Sequence, residues 1–541
     1  MVGGVPIGDA EYVRAVMDQQ ATEICELIEN TATELQSKPH AFWSCLYYSL
    51  APRIDYWLRH MPPRQTIGAA ARVDRALLTA AYSLGYDSIF EDQLTLRRLR
   101  LPARMRGCGI RSRVWLAPIA YAASFIEAAE AMSDSAAANG TRARTGYFSS
   151  LATDVFGRYA FDDGNWRFLT FLSQQRTAQL PTARDFSSAW TGLRAANLSG
   201  VGGPLTALTV DAGTWLNGGV AASDRARTKL QRAITQQLEE RDRRRLHEDM
   251  MRLPVGDPRR DAWLSEDNQS SQFLTSHPTR TFELGEEEFR EAFCTYLGAE
   301  SPATRGLGAL TIPCGGNSRR RDGPRQNDPH GQQINLANLP GASYTICHDA
   351  IAHEIWALVR EAGLAIGVEP RHLFHTLIPP AVLYQPGGKP GIVPDATIDV
   401  ALPRAVTARG ESQRRQLEEL RRLFFDVKTI FAGGGAYRSA RARDEASGAV
   451  AHRAHEVHHE YRRHAERLDG NHSAPGTTPI RDRLNSFTQV RALVFGNYGE
   501  CSADVHHLLD ACATAVARKT WQWVGARNEA EARACVLSRL R

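Results

Sequence analysis

Lysine is scarce in this chain. Of 65 basic residues only five are lysine, at positions 38, 229, 389, 428 and 519, and the rest are arginine. A composition so biased toward the planar, permanently charged guanidinium keeps a compact ammonium either by chance or where a point charge is needed. Cysteine forms no C-x-x-C pair: the nine residues, at 25, 45, 108, 294, 314, 347, 501, 512 and 535, are odd in number and scattered. That argues against a disulfide framework and fits reduced thiols inside a cell. No segment reaches the roughly 18 apolar residues of a membrane span, and the nearest, Trp115 to Ala129, is too short. The first residues carry no basic-then-apolar signal pattern. Low-complexity blocks are missing as well. With 541 residues and 43% hydrophobic content, the chain is expected to be globular, with roughly two to four domains. Net charge is only +5, so attraction to nucleic acid has to come from local clusters.

One lysine has a telling neighbourhood. Lys428 stands in Phe424-Phe-Asp-Val-Lys-Thr-Ile-Phe431, a run whose aromatic and β-branched residues predict a strand. Alternation puts Asp426 and Lys428 on one face, about 7 Å apart, and turns Phe425, Val427 and Thr429 toward the other layer. An acid and an ammonium side by side on such a strand suit a divalent-metal hydrolase; an ordinary salt-bridging pair is the plainer alternative. Upstream, 391–400 predicts a second strand entered at Pro394, a residue tolerated at a strand's first position. Asp395 and Asp399 lie on one face of it, being four residues apart. The polar stretch from Arg409 to Arg422 reads as an inserted loop or short helix, and it leaves open which of the two aspartates meets Asp426. Before these strands, Ile351, Ile355, Leu358 and Val359 recur at helical spacing and Gly363 ends the run, which predicts an amphipathic helix carrying Glu354.

A helix with Glu354, a strand with Pro394-Asp395 and a strand with Asp426-x-Lys428, in that order, resemble the PD-(D/E)xK, or restriction-endonuclease-like, nucleases. The resemblance implies an α/β domain with a central mixed sheet over 301–541. It also implies that Asp395 and Asp426 hold Mg²⁺ or Mn²⁺, that Lys428 orients or activates the attacking water, and that Glu354 completes the metal shell. The opening Gly3-Gly-Val-Pro-Ile-Gly-Asp-Ala-Glu-Tyr-Val13 resembles the G-x-P-[IV]-G segment between palm and thumb in reverse transcriptases of non-LTR retroelements. Leu101-Pro-Ala-Arg-Met-Arg-Gly-Cys-Gly-Ile-Arg-Ser112 resembles the segment between thumb and endonuclease of the same elements. Phe425–Ile430 and Leu493-Val-Phe-Gly-Asn-Tyr-Gly-Glu500 are similar to retroelement-encoded proteins too. The chain therefore looks like the C-terminal part of a retroelement polyprotein: a mostly α-helical N-terminal region, comprising a thumb-like part over 1–130 and a connector over 145–300, followed by the nuclease-like domain.

Helices are expected from Asp9 as N-cap, with Tyr12, Val13, Val16, Ile24, Leu27, Ile28 and Leu35 along one side, and then over 42–60, 69–84 and 115–131. Polymerisation needs paired palm aspartates. The pair Asp162-Asp163 runs into Gly164-Asn165, a turn or N-cap signal, and follows the thumb-like segment, so no reverse transcriptase activity is expected. The expected activity is nicking of target DNA to prime reverse transcription, with a non-catalytic nucleic-acid-binding remnant as the alternative.

Arginine is clustered. Arg97, Arg98, Arg100, Arg104, Arg106, Arg111 and Arg113 crowd one segment, and Arg319, Arg320, Arg321 and Arg325 another, neither with matching acids nearby in sequence. Both are expected to touch phosphates and to give salt-dependent affinity. Arg241, Arg243, Arg244 and Arg245 alternate with Glu239, Glu240, Asp242 and Glu248 and read as a solvated helix face. Cys314, His330 and Cys347 are candidate zinc ligands. However, Cys314-Gly-Gly-Asn317 offers one sulfur where related retroelement proteins carry a C-x-x-C pair, and structural zinc wants four N/S ligands; a relic loop is the alternative. His452, His455, His458, His459 and His464 stand among Glu456, Glu460, Arg462 and Arg463, which predicts a long polar helix with its histidines on a wet face. The expected partners are DNA and element RNA, with no membrane; the expected location is intracellular, and nuclear in a eukaryote.

Overall fold

The computed structural model describes residues 4–85, 92–121, 123–124, 230–265, 267, 270–279, 283–308, 310–312, 325–336, 343–384, 391–403, 418–432, 436–445, 447–487, 490–523 and 525–540. Asp162-Asp163, Cys314, Arg319–Arg321 and much of the expected connector lie outside them. The chain divides into two compact units, Met1–Arg252 with Phe273–Leu297, and Leu253–Gln272 with Gly298–Arg541. No helix among the described residues is long and apolar enough to cross a membrane.

The first unit is helical. Helix α1 (Ala10–Glu34) starts where Asp9 accepts the Tyr12 amide at 2.7 Å, which satisfies one of the orphan donors of a first turn. It buries Val13, Met17, Ala21, Ile24 and Ile28 and packs on α2 (Pro63–Tyr82). Tyr12, expected on the buried side, is exposed. The expected helix over 42–60 is interrupted: Pro39–Cys45 is followed by a π turn at Leu46–Leu50, a 3₁₀ turn at Ala51–Ile54 and a last helix at Asp55–His60. Pro52 has no N–H to offer, and the helix changes its hydrogen-bond pattern around it.

Helix α3 (Gln93–Arg100) runs into the Leu101–Ser112 segment, where the chain doubles back on the helix. Gly107 N–H donates to Pro102 O at 3.1 Å, Cys108 N–H to Arg98 O at 3.3 Å and Gly109 N–H to Leu101 O at 2.7 Å. A Cβ at position 107 would stand 2.1 Å from Leu101 O, so only glycine fits there. Two of the arginines, Arg98 and Arg113, turn inward. Arg98 is fully buried, its Nε–H donating to Arg106 O at 3.0 Å and its guanidinium lying 4.5 Å from the Tyr296 ring centroid. Helix α4 (Leu230–Met251) brings the acids: Asp249 meets Arg97 at 2.6 Å, and Glu239 meets Arg104 at 2.5 Å and Arg111 at 2.7 Å. Arg113, also buried, pairs with Asp55 at 3.3 Å. The acids missing from the local sequence thus arrive from distant elements, which corrects the expectation of an unmatched cluster. Within α4, Arg243 and Arg244 pair with Glu240 at 2.8 and 3.0 Å.

The second unit is built on a four-stranded mixed sheet with the spatial order β1 (Ala365–Val368), β2 (Ala396–Pro403), β3 (Glu418–Thr429), β4 (Arg491–Phe495). The pairs β1–β2 and β2–β3 are antiparallel, and β4 runs parallel to β3. The β2–β3 ladder extends from Ala396↔Phe425 to Pro403↔Glu418. Glu418–Arg422, expected in a loop or short helix, are therefore strand, because cross-strand pairing overrides their polar composition.

A parallel return needs a crossover, and helix α6 (Gly448–His472) lies within it. Helices α5 (Ser343–Glu361) and α7 (Ala503–Thr520) pack Ala352, Trp356, Val359, Val505 and Leu508 against Ala396, Ile398, Phe425, Val427 and Leu493 on one face. Val457, Tyr461, Ala465 and Leu468 of α6 pack with Phe424, Ala492 and Val494 on the other. A sheet buried on both faces accepts apolar residues at successive positions, which is why Phe424 and Phe425 stand side by side.

The Leu493–Glu500 segment ends β4 and turns after Phe495, burying Tyr498 and Glu500. Glu500 accepts the Tyr437 hydroxyl at 2.5 Å and the Tyr498 amide at 3.0 Å, and a Cβ at position 496 would stand 2.0 Å from its side chain. Burial pushes the Glu500 carboxyl up to about 7.

Candidate active site

Two carboxylates reach the same end of the sheet. Asp395 sits one step before the Ala396↔Phe425 pair, beside Asp426 and Val427. Its Oδ2 accepts the Val427 amide at 2.8 Å, and its carbonyl accepts the Glu369 amide at 2.9 Å. Asp426, 3% exposed, accepts the Tyr461 hydroxyl at Oδ1 at 2.7 Å. Lys428 forms an ion pair with Asp426 Oδ2 and donates to Val427 O at 3.1 Å. Oδ2 is buried, and the Lys428 ammonium is the charge that meets it.

Burial pushes the Asp426 carboxyl up, Lys428 and the Tyr461 hydrogen bond oppose, and neighbouring Asp395 adds to the rise. Two carboxylates in a dry setting repel, and one ammonium answers only part of that cost. Burial and the Asp426 carboxylate hold the Tyr461 hydroxyl well above its ordinary range, so it stays protonated and donates. His348, on α5, places Nε2 3.3 Å from Asp395 Oδ2 and Nδ1 2.9 Å from Asp349 Oδ1. The bond to Asp395 leads a push up to about 8, against partial burial, and with both nitrogens facing carboxylates the ring is an imidazolium at neutral pH. His348, Lys428, Thr345, Thr429 and Phe431 line an open depression of about 340 Å³. Its two cations suit an anionic group such as a phosphodiester.

The expected residues separate here. Asp399 does not join Asp426: Arg422 grips it at 2.8 and 3.0 Å and holds its carboxyl below the ordinary range. Glu354 is exposed, because α5 turns Ala352, Trp356 and Val359 to the sheet; the helix residue that reaches the carboxylates is His348. From the sequence Tyr461 has no assigned role and His348 none at the carboxylates, though each continues an apolar stripe. His348 precedes Ala352, Trp356 and Val359 at helical spacing, and Tyr461 falls between Val457 and Ala465.

Among the candidate zinc ligands, Cys314 lies outside the described residues and His330 Nδ1 is 3.0 Å from Ala299 O. Cys347 is half-buried, and burial pushes its thiol up. Among the described residues no group of three His, Cys, Asp or Glu side chains converges as a metal cage. Mg²⁺ asks for less, since it keeps several waters and binds through one or two carboxylates. Asp426 Oδ2, a carboxylate oxygen met by the Lys428 ammonium, keeps a further lone pair for such an ion, and Asp395 beside it supplies a second carboxylate.

The histidine-rich segment is the long helix α6, with His455 and His459 exposed and His452, His458 and His464 half-buried. Compared with protein-family models and with curated proteins, the sequence matches none of them.

Proposed function

We propose that the second unit is a metal-dependent DNA endonuclease of a retroelement protein, nicking target DNA so that the freed 3′ end can prime reverse transcription. The observation that carries the nuclease reading is the meeting of Asp395 and Asp426 on neighbouring strands, with Lys428 beside them and the cation-lined depression in front. A fold gains little by burying two like charges together, and such an arrangement is what a functional site would require. The mixed sheet with helices on both faces supports a PD-(D/E)xK architecture. The retroelement part of the reading rests on the Gly3–Val13 and Leu101–Ser112 resemblances.

Asp395 and Asp426 would hold Mg²⁺ or Mn²⁺, which supplies Lewis acidity toward the phosphoryl oxygens. Tyr461 orients Asp426, while the Val427 amide and His348 orient Asp395, so both carboxylates are set before DNA arrives. Lys428 Nζ holds the attacking water, and its charge favours loss of that water's proton. The His348 imidazolium adds positive charge to the wall that faces the phosphate.

Purified full-length chain should convert supercoiled plasmid to open circles in Mg²⁺ or Mn²⁺. Asp426→Asn should slow this by about three orders of magnitude, with duplex binding and thermal unfolding retained. Wild-type chain that never nicks, on duplex or branched DNA in either metal, would overturn the proposal and leave the non-catalytic nucleic-acid-binding remnant.

A further inference from the structure

Helix α6 has two sides with different chemistry. Its buried side carries Tyr461, which holds Asp426; its solvent side carries His455 and His459, one helical turn apart and both exposed. Their Nε2 atoms lie 3.3 Å apart and their ring centroids 4.5 Å apart. Two nitrogens each about 2.0–2.1 Å from one tetrahedral ion are separated by about 3.4 Å, so the two rings already stand at the spacing of a shared ion.

We infer that His455 and His459 form a surface clamp for a divalent transition-metal ion of the imidazole-preferring kind, Zn²⁺, Ni²⁺ or Cu²⁺. The helix backbone holds the residues on one face, so binding does not have to organise the chain first. The nearby carboxylates are engaged elsewhere: Glu456 faces His452 at 3.4 Å and Arg453 at 3.1 Å, and Glu460 faces Arg453 at 2.8 Å. The site therefore offers two nitrogens, with the ion's remaining positions left to water or to a donor from another molecule. Such a donor set selects against hard Mg²⁺ and follows the order in which Cu²⁺ binds most tightly. The bound ion would pin the turn of α6 just before Tyr461. This clamp is independent of the nuclease reading, since it uses neither carboxylate.

The test is calorimetric titration of the full-length chain with Ni²⁺ at pH 7.5 in the presence of millimolar Mg²⁺, together with electron paramagnetic resonance of the Cu²⁺-loaded protein. Wild type should show one site with two-nitrogen hyperfine coupling, unaffected by Mg²⁺, and saturating Ni²⁺ should raise the unfolding temperature. His455→Ala and His459→Ala should each weaken that site by about 100-fold, because one arm of a chelate is lost, and should abolish the temperature shift. His452→Ala should keep both. The two clamp positions are exposed, so their variants should fold, and circular dichroism checks that they do. Equal binding by wild type and both clamp variants would overturn the inference, as would Cu²⁺ spectra without a second nitrogen. No binding by wild type would mean that a single N–H···N hydrogen bond accounts for the 3.3 Å spacing.

Discussion

Two charged regions of this molecule fold in opposite ways. In the Arg97–Arg113 segment, like charges crowded in the sequence are separated and answered: Asp249, Glu239 and Asp55 each receive an arginine, and Arg98 spends its charge on a carbonyl and an aromatic face. At Asp395 and Asp426, like charges 31 positions apart in sequence are brought together and buried, with Lys428 and His348 as partial compensation. Folding that answers a charge builds structure. Folding that brings like charges together costs stability, and such places are candidates for a functional site.

The sharpest break of this comparison is Lys428→Arg. It keeps the positive charge but puts a bulky, permanently protonated fork where a compact ammonium stood. Nicking should fall by about 100-fold or more, measured as the initial rate on supercoiled plasmid, with unfolding unchanged. An Arg variant as active as wild type would reduce Lys428 to a structural ion pair.

Arg98→Ala should do the reverse. It empties a fully buried site and leaves the Arg106 carbonyl without its donor, at a cost of about 3 kcal/mol measured by denaturant unfolding, while nicking per folded molecule stays the same. Asp426→Asn should leave unfolding unchanged or slightly more difficult, since it removes a buried charge. If both substitutions destabilised equally, the distinction between the two regions would fail.

Glu500 tests a buried acid whose oxygens are both bonded. Its carboxyl ordinarily titrates near 4.5 and is raised to about 7 in the fold, so the folded state holds the extra proton between those values. The stability this contributes is fully present below 4.5 and is lost as pH rises through 7, by about 3 kcal/mol. Asp261, raised to about 6 by burial, acts with the same sign at lower pH. Glu500→Gln should therefore flatten the pH dependence of unfolding across the window from about 4.5 to 7; an unchanged slope there would remove Glu500 as its source.

The smallest effect is expected on DNA affinity. With Arg104 paired to Glu239, the Arg104→Ala, Arg106→Ala double variant should change the slope of log affinity against log salt by less than about one unit. A loss of one unit per residue would return these arginines to phosphate contact.

Much of the local architecture was legible in the sequence. Asp9 as an N-cap, the apolar stripe through Val13, Ile24 and Ile28, the helix ending before Gly363 and the strand through Asp426 and Lys428 all follow from residues within a few positions of one another. Hydrogen bonds within a turn and the alternation of faces are set by neighbours along the chain. Pro52 shows how little is needed to upset such a reading: one missing N–H broke the expected 42–60 helix into four pieces.

The pairings were not legible. Asp399 lies in β2 and Asp395 one residue before that strand, and only the β2–β3 register, with Ala396 opposite Phe425 and Asp399 opposite Arg422, puts Asp395 rather than Asp399 beside Asp426. The acids that answer Arg97, Arg104 and Arg111 come from α4, and Tyr461 and His348 come from helices on opposite faces of the sheet. The sequence by itself determined the first helix from its Asp9 cap, the helix that ends before Gly363, and that an aspartate and a lysine would share a strand face. Tertiary structure alone decided which charges would meet, because that depends on register and packing between elements far apart in the chain, where a shift of one residue turns every side chain to the other face.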